Sequence, residues 1–489
     1  MTGLLLTTSA LALASSALSR SPTGAGLSPI DEPSSPIADP VARERAMDLF
    51  HNYLPVFAVA FVITLLATPL MRKLAVTHGI VDRPSEARKV HRIPIAYLGG
   101  VAVFLGLVGG IFTSYLGIAG VGGDSFCLHE SPSHIEQTPV PMLSVVAAMA
   151  IICITGLIDD VKGLYPRLKV AGQLMGAAFL AMEDVGTKVA AGVLKPTLGV
   201  WLGNENLTYA IDLPFTVPFW NSGVITLDVI YWVGVVIIAM FVLGACNASN
   251  LIDGLDGLLS GVTAIAAVGL LVIALGLAVA DDGRLDSARI VMCMALLGAC
   301  LGFLPHNFNP ANIFLGDAGS LLLGYMTIVI ILTLGDTGKT HLVLAGLVIF
   351  MIPIIDTTLA IVRRKLAGKP MSAPDDQHLH HQLKRSLGVK GAVFSLYAIG
   401  TVFAVLGIAL SVMRLRVSMT LALVFASFIG IIALKIARKQ LVESHAVALH
   451  GGGAAAGGPA PEPPTPAPVP TPTPSSPSTA PREAAVAKA

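Results

Sequence analysis

Apolar runs of membrane-spanning length recur along most of the chain and constrain every other reading of it. A helix needs roughly twenty consecutive apolar residues to cross the hydrocarbon core of a bilayer, and about eleven segments approach that length. They lie at 53–75, 97–118, 140–158, 169–184, 226–246, 257–280, 287–304, 318–335, 341–361, 392–411 and 417–436. The fourth is the weakest, because Glu183, Asp184 and Lys188 interrupt it. Only 12% of residues are charged and 54% are apolar, whereas a soluble domain carries about a quarter charged residues. The expected fold is therefore an all-α polytopic integral membrane protein in a lipid bilayer, with each backbone polar group satisfied inside its own helix. A net charge of +1 offers no basic field for nucleic acid. Cys127, Cys153, Cys246, Cys293 and Cys300 show no paired metal spacing, and all but Cys127 sit in or beside apolar runs, so no disulfide framework is expected.

The two ends differ from this body. Residues 1–49 read as a leader: an apolar stretch from Leu4 to Leu18 has no basic residue ahead of it, a poor signal peptide, and a Ser-, Pro-, Gly- and Ala-rich stretch follows. Residues 438–489 are Gly-, Ala- and Pro-rich and bury too little apolar surface to fold, so a disordered tail is expected. Residues 50–437 form the membrane domain, without an internal repeat. Connections after the odd-numbered spans, with the segment after the last, hold about nineteen Lys and Arg against about seven on the other side, and such residues accumulate on the cytoplasmic face. The N-terminus is then outside and the tail cytosolic, and nearly every polar cluster falls on the cytosolic side.

Those clusters are the candidate chemistry, since ionisable residues at a membrane edge are functional candidates by default. Asp159-Asp160 closes the third span. Adjacent carboxylates beside hydrocarbon repel one another and need a metal, a lysine or a proton to offset them. Lys169 and Gln173, four apart, share a helix face nearby. A solvated helix end with a snorkelling lysine is the plainer alternative. Asn247, Asn250, Asp253 and Asp256 recur every three residues, and Gly254 and Gly257 mark a helix end that lets their oxygens converge. Hard oxygens of this kind suit Mg²⁺, and a mere polar turn is an expensive alternative at a bilayer edge. Asp317 lies between Gly316 and Gly319, which allow close approach of a phosphate or backbone, with Phe314 three residues before it. His378, His380 and His381 follow Asp375-Asp376 in the most basic loop, flanked by Arg363, Arg364, Lys365, Lys384 and Arg385. Structural zinc wants four defined ligands, and no second half-site is visible. Cationic and hydrogen-bonding groups together suit a diphosphate better. A further basic patch runs from Asp82-Arg83-Pro84 to Arg88-Lys89-Val90-His91-Arg92, near lipid headgroups.

Taken in order, these five blocks resemble the polyprenyl-phosphate N-acetylhexosamine-1-phosphate transferases, glycosyltransferase family four, and within them most the N-acetylglucosamine branch that acts on undecaprenyl phosphate. The resemblance covers about residues 50 to 437. It implies an eleven-span enzyme of the bacterial cytoplasmic membrane with a cytosolic site, transferring N-acetylglucosamine-1-phosphate from a UDP-N-acetylhexosamine to undecaprenyl phosphate and releasing UMP to start a cell-envelope polysaccharide. It implies a Mg²⁺ cofactor, with Mn²⁺ as substitute, held by Asp317 and Asn250 or its neighbours. Asp256 is implied to read uracil, Phe314 to stack on it, and Asn247, Asp253, His378, His380 and His381 to bind the donor. Catalytic roles fall to Asp159 or Asp160, at the lipid phosphate, and to Lys169, at the diphosphate. The Pro-Arg-Leu-Gly-Gly common in the first loop stands here as Ala96-Tyr97-Leu98-Gly99-Gly100, and Tyr97 receives no role.

Two alternatives remain at this point. The sister enzymes that transfer phospho-N-acetylmuramoyl-pentapeptide share the aspartates and the magnesium, but His-Leu-His-His fits the N-acetylglucosamine branch better than three adjacent histidines would. An ion-coupled transporter would also place carboxylates near a membrane, yet neither internal symmetry nor a mid-span charge supports it. Self-association as a homodimer is open.

Overall fold

The computed structural model describes residues 40–82, 94–114, 140–212, 224–280, 285–366 and 378–413, with residues 368 and 370 and scattered positions between 417 and 435. The basic patch 83–93, Cys127, Asp375, Asp376 and the Pro-rich tail lie outside the described residues.

Among the described residues the protein is a bundle of apolar helices. They are α1 Pro40–Thr77, α2 Gly99–Thr113, α3 Val140–Lys162, α4 Pro166–Met182, α5 Val229–Ile252, α6 Leu258–Val279, α7 Asp286–Asn307, α8 Gly316–Thr333, α9 Thr340–Ile349, α10 Met351–Leu366 and α11 Leu379–Ser411. Seven are long and apolar enough to cross a membrane, eight if α9 and α10 form one broken span. The expected spans at 97–118 and 169–184 correspond to the shorter α2 and α4, of 15 and 17 residues. α1 begins at Pro40, ahead of the expected position 53. The connection after α4 continues from helical turns over 187–199 into an antiparallel pair of strands, β3 Thr208–Asp212 and β4 Val224–Asp228. A second small pairing joins β1 Val81–Asp82 to β2 Ile95–Ala96.

α8 is the axis of the bundle, with 94% of its length buried. Its neighbours approach through glycine. A Cβ on Gly156 of α3 would lie 2.5 Å from the Ala318 Cα, and one on Gly100 of α2 would meet the Gly319 backbone. Close backbone approach of this kind is how membrane helices gain packing without a hydrophobic drive between them. At its far end, the buried Arg289 of α7 donates from Nε and Nη2 to the Thr333 carbonyl at 3.0 and 2.7 Å, while its Nη1 pairs with Asp286 at 2.6 Å. Arg289 thus adds two donors to a helix-end carbonyl that otherwise accepts the Asp336 N–H at 3.3 Å.

Two breaks shape the opposite end. α5 stops at Ile252 because Asp253 leaves helical geometry (φ −74°, ψ 48°), and Gly257 starts α6 at φ 78°, where glycine is at ease. α9 and α10 meet at a 79° bend. Pro353 accounts for it: its ring lacks the N–H for a bond to the residue 349 carbonyl and clashes with that oxygen.

Candidate active site

The polar residues gather where α3 and α5 end and α8 begins. Asp160, two residues before the end of α3, accepts the Asp317 N–H at 2.7 Å and the Ala318 N–H at 3.0 Å, capping the first turn of α8. Asp159 beside it accepts the Leu164 N–H at 2.6 Å and pairs with the Lys169 Nζ at 2.8 Å. The same ammonium contacts the Asp317 carboxylate. The offsetting cation that two adjacent carboxylates require is therefore Lys169, carried in by α4. Asn250 donates to Asp317 Oδ1 at 2.6 Å and to Ser320 Oγ at 3.0 Å, which aims the Asp317 carboxylate.

A cavity of about 510 Å³ opens above this cluster. Asn250, Asp253, Asp256, Phe314 and Asp317 all line it, as do Tyr97, His381 and Lys384. The 95–98 segment is laced to the turn before α8: the Phe314 N–H donates to the Ala96 carbonyl at 2.9 Å and the Gly99 N–H to the Phe314 carbonyl at 3.1 Å. This sets the Phe314 ring beside Tyr97, with centroids 6.2 Å apart. Asp256 accepts from Asn309 Nδ2 at 2.8 Å and the Ala311 N–H at 3.1 Å, so one oxygen is committed to the 309–311 turn.

Asp253 differs from the others. Its half-buried carboxyl faces the cavity with no hydrogen-bond partner among the described residues, and desolvation, then Asp317, Asp160 and Asp256, push it up to about 8. Several carboxylates around one cavity call for positive charge beyond Lys169. The donors on offer are hard oxygens, the set that suits Mg²⁺ and not a soft metal. Asp253 and Asp317 fit such an ion; Asn250, expected as a ligand, is engaged through its amide nitrogen in orienting Asp317.

Three expected donor-binding residues do not reach the cavity. Asn247 lies a turn deeper in α5 and donates to Gln173 Oε1 at 2.8 Å and to the Leu243 carbonyl at 2.7 Å. His378 and His380 are buried, both turned onto Asp356 of α10 at 3.0 and 3.1 Å. Only His381 of the histidine block faces the cavity. Asp356 itself escaped the sequence reading, although a lone carboxylate in Ile354-Ile355-Asp356 is an intramembrane acid of the kind that warrants attention. Asn309, at the cavity mouth, carried no such signal.

Residues 142–335, which contain Asp159, Lys169, the 247–257 segment and Asp317, match the model for glycosyl transferase family 4. The chain is 31% identical over 379 residues to a probable undecaprenyl-phosphate N-acetylglucosaminyl 1-phosphate transferase of Bacillus subtilis, covering 77% of this chain and 90% of that protein. The chain belongs to glycosyl transferase family 4. Within the family it is also 33% identical over 338 residues to a decaprenyl-phosphate N-acetylglucosaminephosphotransferase of Mycobacterium tuberculosis, covering 66% of this chain and 74% of that one. A phospho-N-acetylmuramoyl-pentapeptide-transferase of Shouchella clausii is 29% identical over 365 residues, or 73% of this chain and 95% of that one.

Proposed function

We propose that this membrane enzyme transfers N-acetylglucosamine-1-phosphate from UDP-N-acetylglucosamine to undecaprenyl phosphate, releasing UMP and starting a cell-envelope polysaccharide. The observation that carries the reading is Lys169 held between Asp159 and Asp317, with Asp317 lining a polar cavity where the ends of spanning helices meet. A hydrophilic donor and a lipid acceptor can meet only at such a boundary. The relatives named for N-acetylglucosamine transfer favour that sugar.

In the reaction an oxygen of the lipid phosphate attacks the β-phosphorus of the donor, and the bond from that phosphorus to the oxygen bridging the two phosphates breaks, so UMP leaves with it. Transfer of this kind needs positioning and charge neutralisation more than covalent help from the protein. Lys169 and Asp159 place the lipid phosphate and balance its charge. Phe314 offers a face to the uracil, and Asp256 its remaining oxygen. His381 and Lys384 lie on the cavity wall for the diphosphate. Asp253 and Asp317 would hold Mg²⁺, or Mn²⁺ in its place, which when bound supplies neutralisation of the diphosphate charge. The finer topology belongs to the same reading: eleven spans in the bacterial cytoplasmic membrane, N-terminus outside, and site and tail in the cytosol.

Purified protein in nanodiscs with undecaprenyl phosphate and a panel of UDP-sugars tests this directly. UMP release with UDP-N-acetylglucosamine is the expected result. Release only with UDP-N-acetylmuramoyl-pentapeptide assigns the chain to the second named activity among its relatives. No release with any sugar of the panel overturns the reading.

A further inference from the structure

The bend between α9 and α10 puts a carboxylate where a spanning helix has little use for one. Asp356 is 1% exposed, on the face of α10 that also buries Ile352, Leu359 and Ala360. All its described partners belong to the start of α11. Its Oδ1 accepts the Leu379 N–H at 2.7 Å, and its Oδ2 accepts from His378 Nδ1 at 3.0 Å and His380 Nδ1 at 3.1 Å. An ionised carboxylate only accepts, so both rings carry their proton on Nδ1 and present Nε2 on the far side. A negative group at the first turn of a helix is favourably placed against its dipole.

The far side of His380 abuts the cavity wall. A Cβ built on Gly254 would stand 2.5 Å from His380 Nε2, so the imidazole packs directly on the backbone between Asp253 and Leu255. His381, the next residue, and Lys384, one turn on, line the cavity. One buried acid thus ties α10 to the first turn of α11, and that turn to the loop bearing Asp253 and Asp256.

We propose that Asp356 is a positioning residue for the nucleotide-sugar donor: it fixes the rings of His378 and His380, docks the start of α11 on the 253–257 loop, and so holds His381 and Lys384 where they meet the donor diphosphate. It touches no substrate. The proposal rests on the transferase reading above and adds a division of labour within the histidine block, two rings for scaffolding and one for contact. It also accounts for a carboxylate kept at membrane depth, which is costly unless fully paired.

The test compares Asp356→Asn with wild type in nanodiscs, measuring UMP release as each substrate is varied, and UDP binding by calorimetry. Asn keeps the volume but cannot accept all three hydrogen bonds. The donor KM and the UDP Kd are expected to rise at least about tenfold, with the KM for undecaprenyl phosphate unchanged. Equal KM values for wild type and variant overturn the proposal, as does a fall in kcat with both KM values intact. Two histidine variants read the same link if Asp356→Asn inserts poorly. His380→Asn keeps an N–H near the Nδ1 position and should retain more donor affinity than His380→Gln, which keeps one near Nε2; the reverse order overturns the proposal. Asp356, His378 and His380 also form a group that could hold a metal ion. Stoichiometric zinc in wild type that is lost in Asp356→Asn would replace the hydrogen-bonded reading. Failure of the transferase reading is distinct, because wild type itself would then release no UMP.

Discussion

Asp160 accepts the backbone N–H of Asp317 at 2.7 Å, so the carboxylate near the end of α3 holds the turn that carries the next carboxylate. The two acids of Asp159-Asp160 therefore do different work, one capping a helix and one pairing with Lys169. Asp160→Ala should destabilise the protein by about 1 kcal/mol, the usual cost of a lost cap, and lower turnover by letting Asp317 drift. Asp160→Ser, which can still accept a backbone hydrogen bond, should recover part of both. Thermal unfolding in detergent checks this; an Asp160→Ala melting curve identical to wild type refutes the capping role.

Lys169 is the cation between Asp159 and Asp317, with about a fifth of its side chain exposed. Lys169→Met leaves two carboxylates facing each other without a counter-charge. Loss of one preorganised charge contact to the transition state is worth about 3 kcal/mol, so turnover should fall by about a hundredfold or more. Lys169→Arg keeps the charge and should retain more. Near-wild-type UMP release by Lys169→Met would remove the lysine from the reaction.

Asp317→Asn keeps the shape of the side chain and removes its charge. It should lower kcat by at least about a hundredfold, or roughly 3 kcal/mol of transition-state stabilisation, and raise the Mg²⁺ concentration needed for half-maximal rate. Titration of Mg²⁺ and Mn²⁺ against turnover is the measurement. An unchanged rate and metal requirement would place the ion elsewhere.

Asn247, expected at the donor, lies beneath the cavity in the structure. Tied to Gln173 beneath the cavity, it should matter for stability and not for the donor. Asn247→Ala is expected to cost about 1 kcal/mol, the net worth of a typical hydrogen bond, with the KM for UDP-N-acetylglucosamine unchanged. A donor KM raised tenfold without loss of stability would restore direct contact.

Orientation is open to labelling. A reporter fused at residue 440 should face the cytosol and one placed in 190–225 the outside, and truncation after Lys439 should leave turnover intact. The opposite labelling pattern would move every proposed site loop to the wrong side.

How far the sequence carried these conclusions depends on the kind of signal. Helical spans were legible because twenty-residue apolar runs have few other uses, and the break at 253–257 was legible because Gly254 and Gly257 sit where a three-residue repeat of polar groups must stop being a helix. The grouping of Asp253, Asp256, Phe314 and Asp317 around one cavity follows from their sitting at span ends on one side. Burial of His378 and His380 was not legible, since it depends on where Pro353 turns α10. Nor was the split between Asp159 and Asp160, neighbours in the chain whose carboxylates meet a lysine in one case and a helix end in the other. The short lengths of α2 and α4 also lay beyond composition, because flanking apolar residues blur where a helix stops.

The glycine seams around α8 bear on how this site can change over time. Gly100 and Gly156 leave no room for a methyl group against the turn that carries Asp317. Almost any single substitution there pushes on the reacting centre itself. The cavity rim at Tyr97, a residue with no assigned part in the reaction, carries no such restriction. A compound seated on Asp317 would therefore meet escape variants at the rim, and the seam would stay as it is.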